Sequence, residues 1–169
     1  MKSFFLKVPS YTMVPNKKGE WISEGELHFR SKSLGVTLIV PKHSLNNLAS
    51  IPRGFRTMFP VNGVSRPAAA LHDHLYNVKG QGIQFYAKGY AGFMDLTREQ
   101  ADMVFKEALQ CTRLNYIEAV PRATRNALDD LGKLDFFTSD KNMNLPLCGT
   151  YQTYIMHKAV RLGGSLYWS

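Results

Sequence analysis

Cysteine is scarce in this sequence. Its two cysteines, Cys111 and Cys148, are too few for a disulfide framework and lack the close spacing of metal-ligand pairs. That excludes small disulfide-stapled scaffolds and cysteine-zinc modules. Long apolar runs are missing too. No stretch approaches the roughly 20 apolar residues of a membrane-spanning helix. The N-terminal MKSFFLKVPS holds an apolar run too short for a secretory signal, and Lys7 interrupts it. There is no internal repeat and no low-complexity segment. The basic residues form no run: Lys17-Lys18 and the Arg122/Arg125 pair are the densest groups. This scatter points away from a DNA-binding arm and from specific nucleic-acid binding.

What is present fits one folded unit. The 169 residues suit a single domain over 1–169, and 44% hydrophobic with 20% charged residues is enough to build a core, which excludes global disorder. Lysine and arginine outnumber aspartate and glutamate 21 to 13, a formal charge of +8. A chain so charged meets anionic partners readily, a bacterial envelope or other anionic surface among them.

The first forty residues read as strands. Phe4-Phe5-Leu6 is a short apolar run, and Leu27 and Phe29 alternate with Glu26, His28 and Arg30. After Ser33-Leu34-Gly35 comes the β-branched segment Val36 to Val40, so two strands around a turn form a hairpin that Pro41 ends. The stretch Asn46 to Arg53, polar and then proline-punctuated, reads as a loop. Helical patterning starts at Ser65, a candidate N-cap, with Pro67 in the first turn. Ala68, Leu71, His72, Leu75 and Tyr76 then share one face. A second helix opens with a capping box of Thr97 and Gln100, backed by the stripe Ala101, Val104, Phe105, Ala108 and Leu109. A third is expected from Pro121 to about Gly132, and a fourth carries Tyr151, Tyr154, Ile155, Ala159 and Leu162, ending at Gly163-Gly164. Thr138 to Gly149 reads as a surface loop. The connection from Asn77 to Leu96 is long for a compact domain and mixes glycine with Phe85, Tyr86, Tyr90 and Phe93. It is either an extra hairpin packed on the body or a binding loop, with Tyr86 and Tyr90 as candidate binding residues. The expected fold class is α+β: an N-terminal antiparallel β-hairpin or small sheet, followed by a helical part of about four helices.

The segment that could carry chemistry is Leu71-His72-Asp73-His74-Leu75-Tyr76. On a helix His72 and Tyr76 lie one turn apart on a shared face. Asp73 is turned about 100° away, toward the edge of that face. A neutral imidazole can take a proton from water when a carboxylate fixes its tautomer from the opposite nitrogen. Asp102, one turn before Phe105, is the candidate orienter if the two helices pack antiparallel. Asp73 would then be free for a hard cation such as calcium. His72 and His74 differ by two positions and point to nearly opposite sides, so they do not share a zinc ion. Glu99 and Glu107 are expected to face solvent. The structural alternative is a buried polar network of His72, Asp102 and Tyr76 that fixes how the helices pack.

Four blocks occur in order: Leu48 to Arg53, Pro67 to Tyr76, Arg98 to Phe105, and Tyr154 to Gly163. Together they resemble the phage and prophage family known as domain of unknown function 1353, over about residues 25 to 163. The resemblance implies a phage setting and no particular activity. It marks Asn47, Ser50 and Arg53 as candidate binding positions, with Asn47 standing where that family is expected to have an aspartate. More distantly, His72-Asp73-x-x-Tyr76 followed by Ala101-Asp102-x-x-Phe105 is similar to the helix pair of secreted calcium-dependent phospholipases. That similarity implies His72 as the base, Asp102 as its orienter, Tyr76 in support and Asp73 as a calcium ligand. Leu75 and Ala101 stand where that family often has bridged cysteines, and no glycine-rich calcium loop precedes the helix.

Two functional classes follow. The leading expectation is a phage- or prophage-encoded accessory protein without enzymatic activity. It would be a virion or tail component, or a binder of a host factor, located in the virion or host cytoplasm and partnered by other phage proteins or an anionic envelope surface. The alternative is a phospholipase-like hydrolase acting on the host envelope, with His72 as general base.

Overall fold

Strand alternation around the first hairpin sets the core. Leu27 and Phe29 point to one side, His28 and Arg30 to the other, and only the first pair is buried. The computed structural model describes residues 3–15, 17, 19–46, 65–111, 150–163 and 168. Within them lie eight strands: β1 (Phe4–Lys7), β2 (Tyr11–Met13), β3 (Trp21–Ser23), β4 (Leu27–Arg30), β5 (Thr37–Val40), β6 (Leu45–Asn46), β7 (Ile83–Ala87) and β8 (Tyr90–Met94). Three helices accompany them: α1 (Arg66–Asn77), α2 (Arg98–Leu109) and α3 (Thr150–Gly163).

The strands form two antiparallel sheets, one of five in the order β1-β4-β5-β7-β8 and one of three in the order β2-β3-β6. In the larger sheet one row runs across all five strands through Phe5, Phe29, Leu38, Phe85 and Gly92. Its side chains share a face, and that face meets the apolar stripes of the helices. Phe5, Phe29, Leu38 and Ile83 join Leu71 and Leu75 of α1, Val104 and Phe105 of α2, and Met156 and Val160 of α3 in one core.

This architecture corrects the expected one. In place of a small N-terminal hairpin ahead of about four helices, the described residues hold eight strands and three helices, and two of the strands lie between α1 and α2. The short strands β2, β3 and β6 account for part of the difference, and the Asn77–Leu96 connection, in the extra-hairpin form of its two readings, for the rest. That connection folds as the hairpin β7–β8 and joins the large sheet through β5. The helix expected at Pro121–Gly132 and the loop expected at Thr138–Gly149 lie outside the described residues.

Local sequence explains the helix boundaries. Thr97 and Gln100 make the full capping box: Gln100 N donates to Thr97 Oγ1 at 3.3 Å, and Thr97 N donates to Gln100 Oε1 at 2.8 Å. Ser65 occupies the N-cap of α1 without a side-chain hydrogen bond, and Pro67 sits in the first turn, where its missing N–H is harmless. In α3 the buried stripe is Thr153, Met156, Ala159 and Val160, whereas Tyr154 is 58% exposed, contrary to the apolar face expected through Tyr154. Glu107 also departs from its solvent-facing expectation. Its carboxylate accepts from Ser3 Oγ (3.1 Å), Ser31 Oγ (2.8 Å), Lys32 N (3.1 Å) and Ser33 N (2.9 Å), tying the last turn of α2 to the β4–β5 turn.

The end of α1 depends on one glycine. Gly80 has φ +71, its N–H bonds Leu75 O, and its carbonyl accepts from Leu96 N, so it both closes α1 and meets the chain entering α2. A Cβ there would lie 2.1 Å from the Leu96 carbonyl oxygen. Gly80→Ala should therefore destabilise the fold by about 2–4 kcal/mol, combining steric overlap with left-handed strain. Urea denaturation checks it: the midpoint should fall at unchanged slope.

Candidate active site

Helices α1 and α2 pack antiparallel. His72, early in α1, meets Phe105, late in α2, while Tyr76, one turn further along α1, meets Asp102, one turn earlier in α2. This arrangement brings His72, Tyr76 and Asp102 together in the core. His72 Nε2 lies 3.6 Å from Asp102 Oδ1, and both residues are 1% exposed. Tyr76 Oη donates to the same Asp102 oxygen at 2.5 Å. The imidazole lies between two rings, with centroids 4.1 Å from Tyr76 and 4.5 Å from Phe105. Trp168 packs edge-on against Tyr76 at 4.9 Å.

Arg98 completes the cluster on the other side of Asp102. Its Nε is 3.9 Å from Asp102 Oδ2, and its guanidinium also donates to Arg161 O near the end of α3. One arginine thus links the carboxylate to the third helix. At 3.6 and 3.9 Å the His72 and Arg98 contacts are longer than hydrogen bonds. Accordingly His72 Nε2, Arg98 Nε and Asp102 Oδ2 have no hydrogen-bond partner among the described residues.

Burial raises the Asp102 carboxyl, but polar attraction from His72, the Tyr76 hydrogen bond and the Arg98 charge outweigh it, and the group is held below the ordinary aspartate value. Burial, reinforced by the bond to Asp102, drives the Tyr76 phenol well above its usual value. Asp102 is therefore the anion and Tyr76 the proton donor of their bond.

The remaining sequence candidates are distributed as follows. Asp73 is buried, 3% exposed, one residue along α1 from His72. Among the described residues no group of three or more histidine, cysteine, aspartate or glutamate side chains converges on a metal site. Calcium takes 6–8 oxygen ligands, and the described residues do not gather a set of carboxylates for it around Asp73. Tyr86 and Tyr90 are not brought to the helix pair. Both lie on β7–β8, 47% and 66% exposed, with Tyr86 on the sheet face opposite Phe85. Asn47, Ser50 and Arg53 lie outside the described residues.

Sequence reasoning missed one participant, Arg98, and one residue within electrostatic reach of the cluster, His157. Arg98 precedes Asp102 by four helical positions, a spacing that could have revealed it. His157 on α3 had no local signal. Burial lowers its pKa, as do the charges of Lys106, Arg161 and His72, while Asp102 opposes the shift. His157 thus lies within electrostatic reach of the His72–Asp102 pair.

A family sequence model, described as "Protein of unknown function (DUF1353)", matches residues 21–124. That is more than half of the chain and includes α1, the β7–β8 hairpin, α2 and every cluster residue on them. The chain belongs to the DUF1353 family. No curated protein and no solved structure matches it. In this DUF1353 chain α3, with His157 and the carbonyl that Arg98 reaches, lies beyond the matched residues.

The DUF1353 helix pair also sets a pH dependence. Burial pushes His74, on the last turn of α1, down to about 4 from 6.5. Between those values the unfolded chain takes up protons that the folded chain refuses. This contribution to stability is complete above 6.5 and is lost as pH falls toward 4. His157, also lowered, adds in the same direction. Thermal melts should shift downward between about pH 7 and about pH 5, and His74→Gln should shrink the shift. A melting temperature that rises on acidification over that range would contradict this assignment.

Proposed function

We propose that the chain is a phage- or prophage-encoded hydrolase of lipid esters, with His72 as general base. The observation that carries this reading is the order of contacts across α1 and α2: imidazole to carboxylate, and carboxylate to phenol and guanidinium. Asp102, ionised and held by Tyr76, orients the His72 ring through Nε2 and stabilises the imidazolium that would form. With Nε2 turned to Asp102, Nδ1 is the nitrogen left to take a proton from water. The deprotonated water attacks the ester carbonyl, and the imidazolium then returns the proton to the leaving alkoxide. The 3.6 Å separation is an open form of a contact that tightens as positive charge develops on the ring. Among the described residues His72 Nε2, Arg98 Nε and Asp102 Oδ2 are left without hydrogen-bond partners, a costly state for buried groups that a catalytic use would explain. The formal charge of +8 favours an anionic envelope surface as the setting, and the sequence resemblance supports the phage context. No step is routed through calcium.

A second reading has its own support. His72 and Asp102 are each 1% exposed, a burial that suits a structural network in a non-enzymatic accessory protein, such as a virion or tail component or a host-factor binder. Fatty-acid release from phospholipid vesicles by the purified chain, with calcium and with chelator, separates the two. Release supports the hydrolase. Its absence in both conditions across anionic and zwitterionic lipids leaves the accessory reading in place.

A further inference from the structure

The two edges of the five-stranded sheet are treated differently. Exposed strand edges are normally blunted by charge, proline or a bulge. Edge strand β1 has both a charge and an irregularity: Lys7 lies on it, and the register with β4 shifts between Phe5 and Lys7. The opposite edge, β8, reads Tyr-Ala-Gly-Phe-Met, without a charge, a proline or a register shift. It nevertheless carries the most exposed large apolar side chains on the sheet, Phe93 at 74% and Tyr90 at 66%.

The backbone shows which groups β8 offers. Lys88 and Gly89, both with positive φ, form the two-residue turn between Ala87 and Tyr90. In such a hairpin the pair flanking the turn is hydrogen-bonded, and the pattern then alternates. Tyr90, Gly92 and Met94 therefore direct their N–H and C=O groups to β7, and Ala91 and Phe93 direct theirs outward. No strand pairs with the outer side of β8 among the described residues.

We propose that this edge is an interface and that a second copy of the same chain occupies it, pairing antiparallel about a two-fold axis at Gly92. In that register Ala91 of each copy faces Phe93 of the other, so the outward groups of both exchange backbone hydrogen bonds. Side-chain sizes then alternate small against large. Phe93 of the second copy lies over Ala91 and reaches Tyr86, the cross-strand neighbour of Ala91. Tyr90 lies opposite Met94 of the second copy, a favourable sulfur–aromatic pairing. Gly92 opposes itself, where the strands approach most closely. Lys88 of one copy comes beside Asp95 of the other at both ends, so the charges nearest the edge are complementary. A C2 interface requires such self-complementarity, and this one covers Phe93, Tyr90 and Tyr86 together. The inference is independent of any chemistry at His72.

Hydrogen exchange and light scattering over a concentration series test it with the full chain. The expected result is a dimer whose Ala91 and Phe93 amides are protected at high concentration and lose protection on dilution, while those of Tyr90 and Gly92 stay protected throughout. Phe93→Lys should yield a folded monomer, because a residue 74% exposed tolerates lysine in the single chain. Ala91→Pro should do the same by removing an outward N–H. A wild type that stays monomeric at millimolar concentration would overturn the proposal and assign the edge to a different occupant. A dimer that persists in folded Phe93→Lys would overturn it by placing the interface elsewhere.

Discussion

Asp102→Ala should lower the stability of the fold by about 3–5 kcal/mol, the range for removing one partner of a buried charged cluster. The size of the effect comes from what the substitution leaves behind. Tyr76 Oη loses its acceptor at 2.5 Å, and the His72 ring and Arg98 guanidinium lose the carboxylate at 3.6 and 3.9 Å. With Asp102 1% exposed, water does not readily replace it. A domain of this kind has on the order of 5–15 kcal/mol in total, so a sizeable share is lost. Tyr76→Phe is the comparison: it removes the short hydrogen bond and leaves the carboxylate its two basic neighbours, at an expected cost of about 1.5–3 kcal/mol. Urea denaturation of the three proteins ranks them. A loss below about 1 kcal/mol for Asp102→Ala would mean that the cluster is solvated in the native state.

Some of this cluster was legible in the sequence because helical spacing is a local property. The Thr97–Gln100 box and the stripe behind it fix the phase of α2, which puts Asp102 on the same side as Phe105. Pro67 and the stripe through Leu71 and Leu75 do the same for α1 and His72. Once both phases are set, antiparallel packing brings the two groups together. Arg98 follows from the same spacing. His157 does not, because its approach depends on how α3 docks, and docking is set by contacts far apart in the chain. The β4–β5 hairpin was legible from the alternation of β4, which buries one face, and from the β-branched run of β5, all of whose residues are buried.

The β7–β8 hairpin was anticipated only as one of two readings of the Asn77–Leu96 connection, and β2, β3 and β6 not at all, because these strands lack that signal. β2, β3 and β6 have only 3, 3 and 2 residues, too few for a period to show. The β7–β8 hairpin is long enough, but β8 is an exposed edge with apolar residues on both faces, which hides the alternation. Its turn uses Lys88 at φ 47 ahead of Gly89 in place of the usual asparagine-glycine signature. A glycine-rich aromatic stretch of that kind is hard to distinguish from a loop until β5 provides the strand it pairs with. Glu107 was misjudged for a related reason: a glutamate on the rim of a helix faces solvent by default, and only the β4–β5 turn with three donors and Ser3 with a fourth, both packed against it, change that.

His72→Asn should reduce hydrolysis by about 10²–10⁴-fold, the range for losing a positioned general base. Asparagine keeps much of the volume and can still donate toward Asp102, but it takes no proton near neutral pH. Its cost in stability should stay within about 1–3 kcal/mol, so the variant remains folded under assay conditions and the loss of rate belongs to chemistry. The His72 ring is 1% exposed between Tyr76 and Phe105, so turnover requires that substrate reach a buried imidazole. The most direct measurement is therefore fatty-acid release from anionic phospholipid vesicles by wild type and His72→Asn, each paired with a thermal melt in the same buffer. Wild type should release fatty acid, and release should be almost completely lost in a variant that still melts cooperatively. Equal release by both proteins, or none from wild type with or without calcium, would contradict a base role for His72.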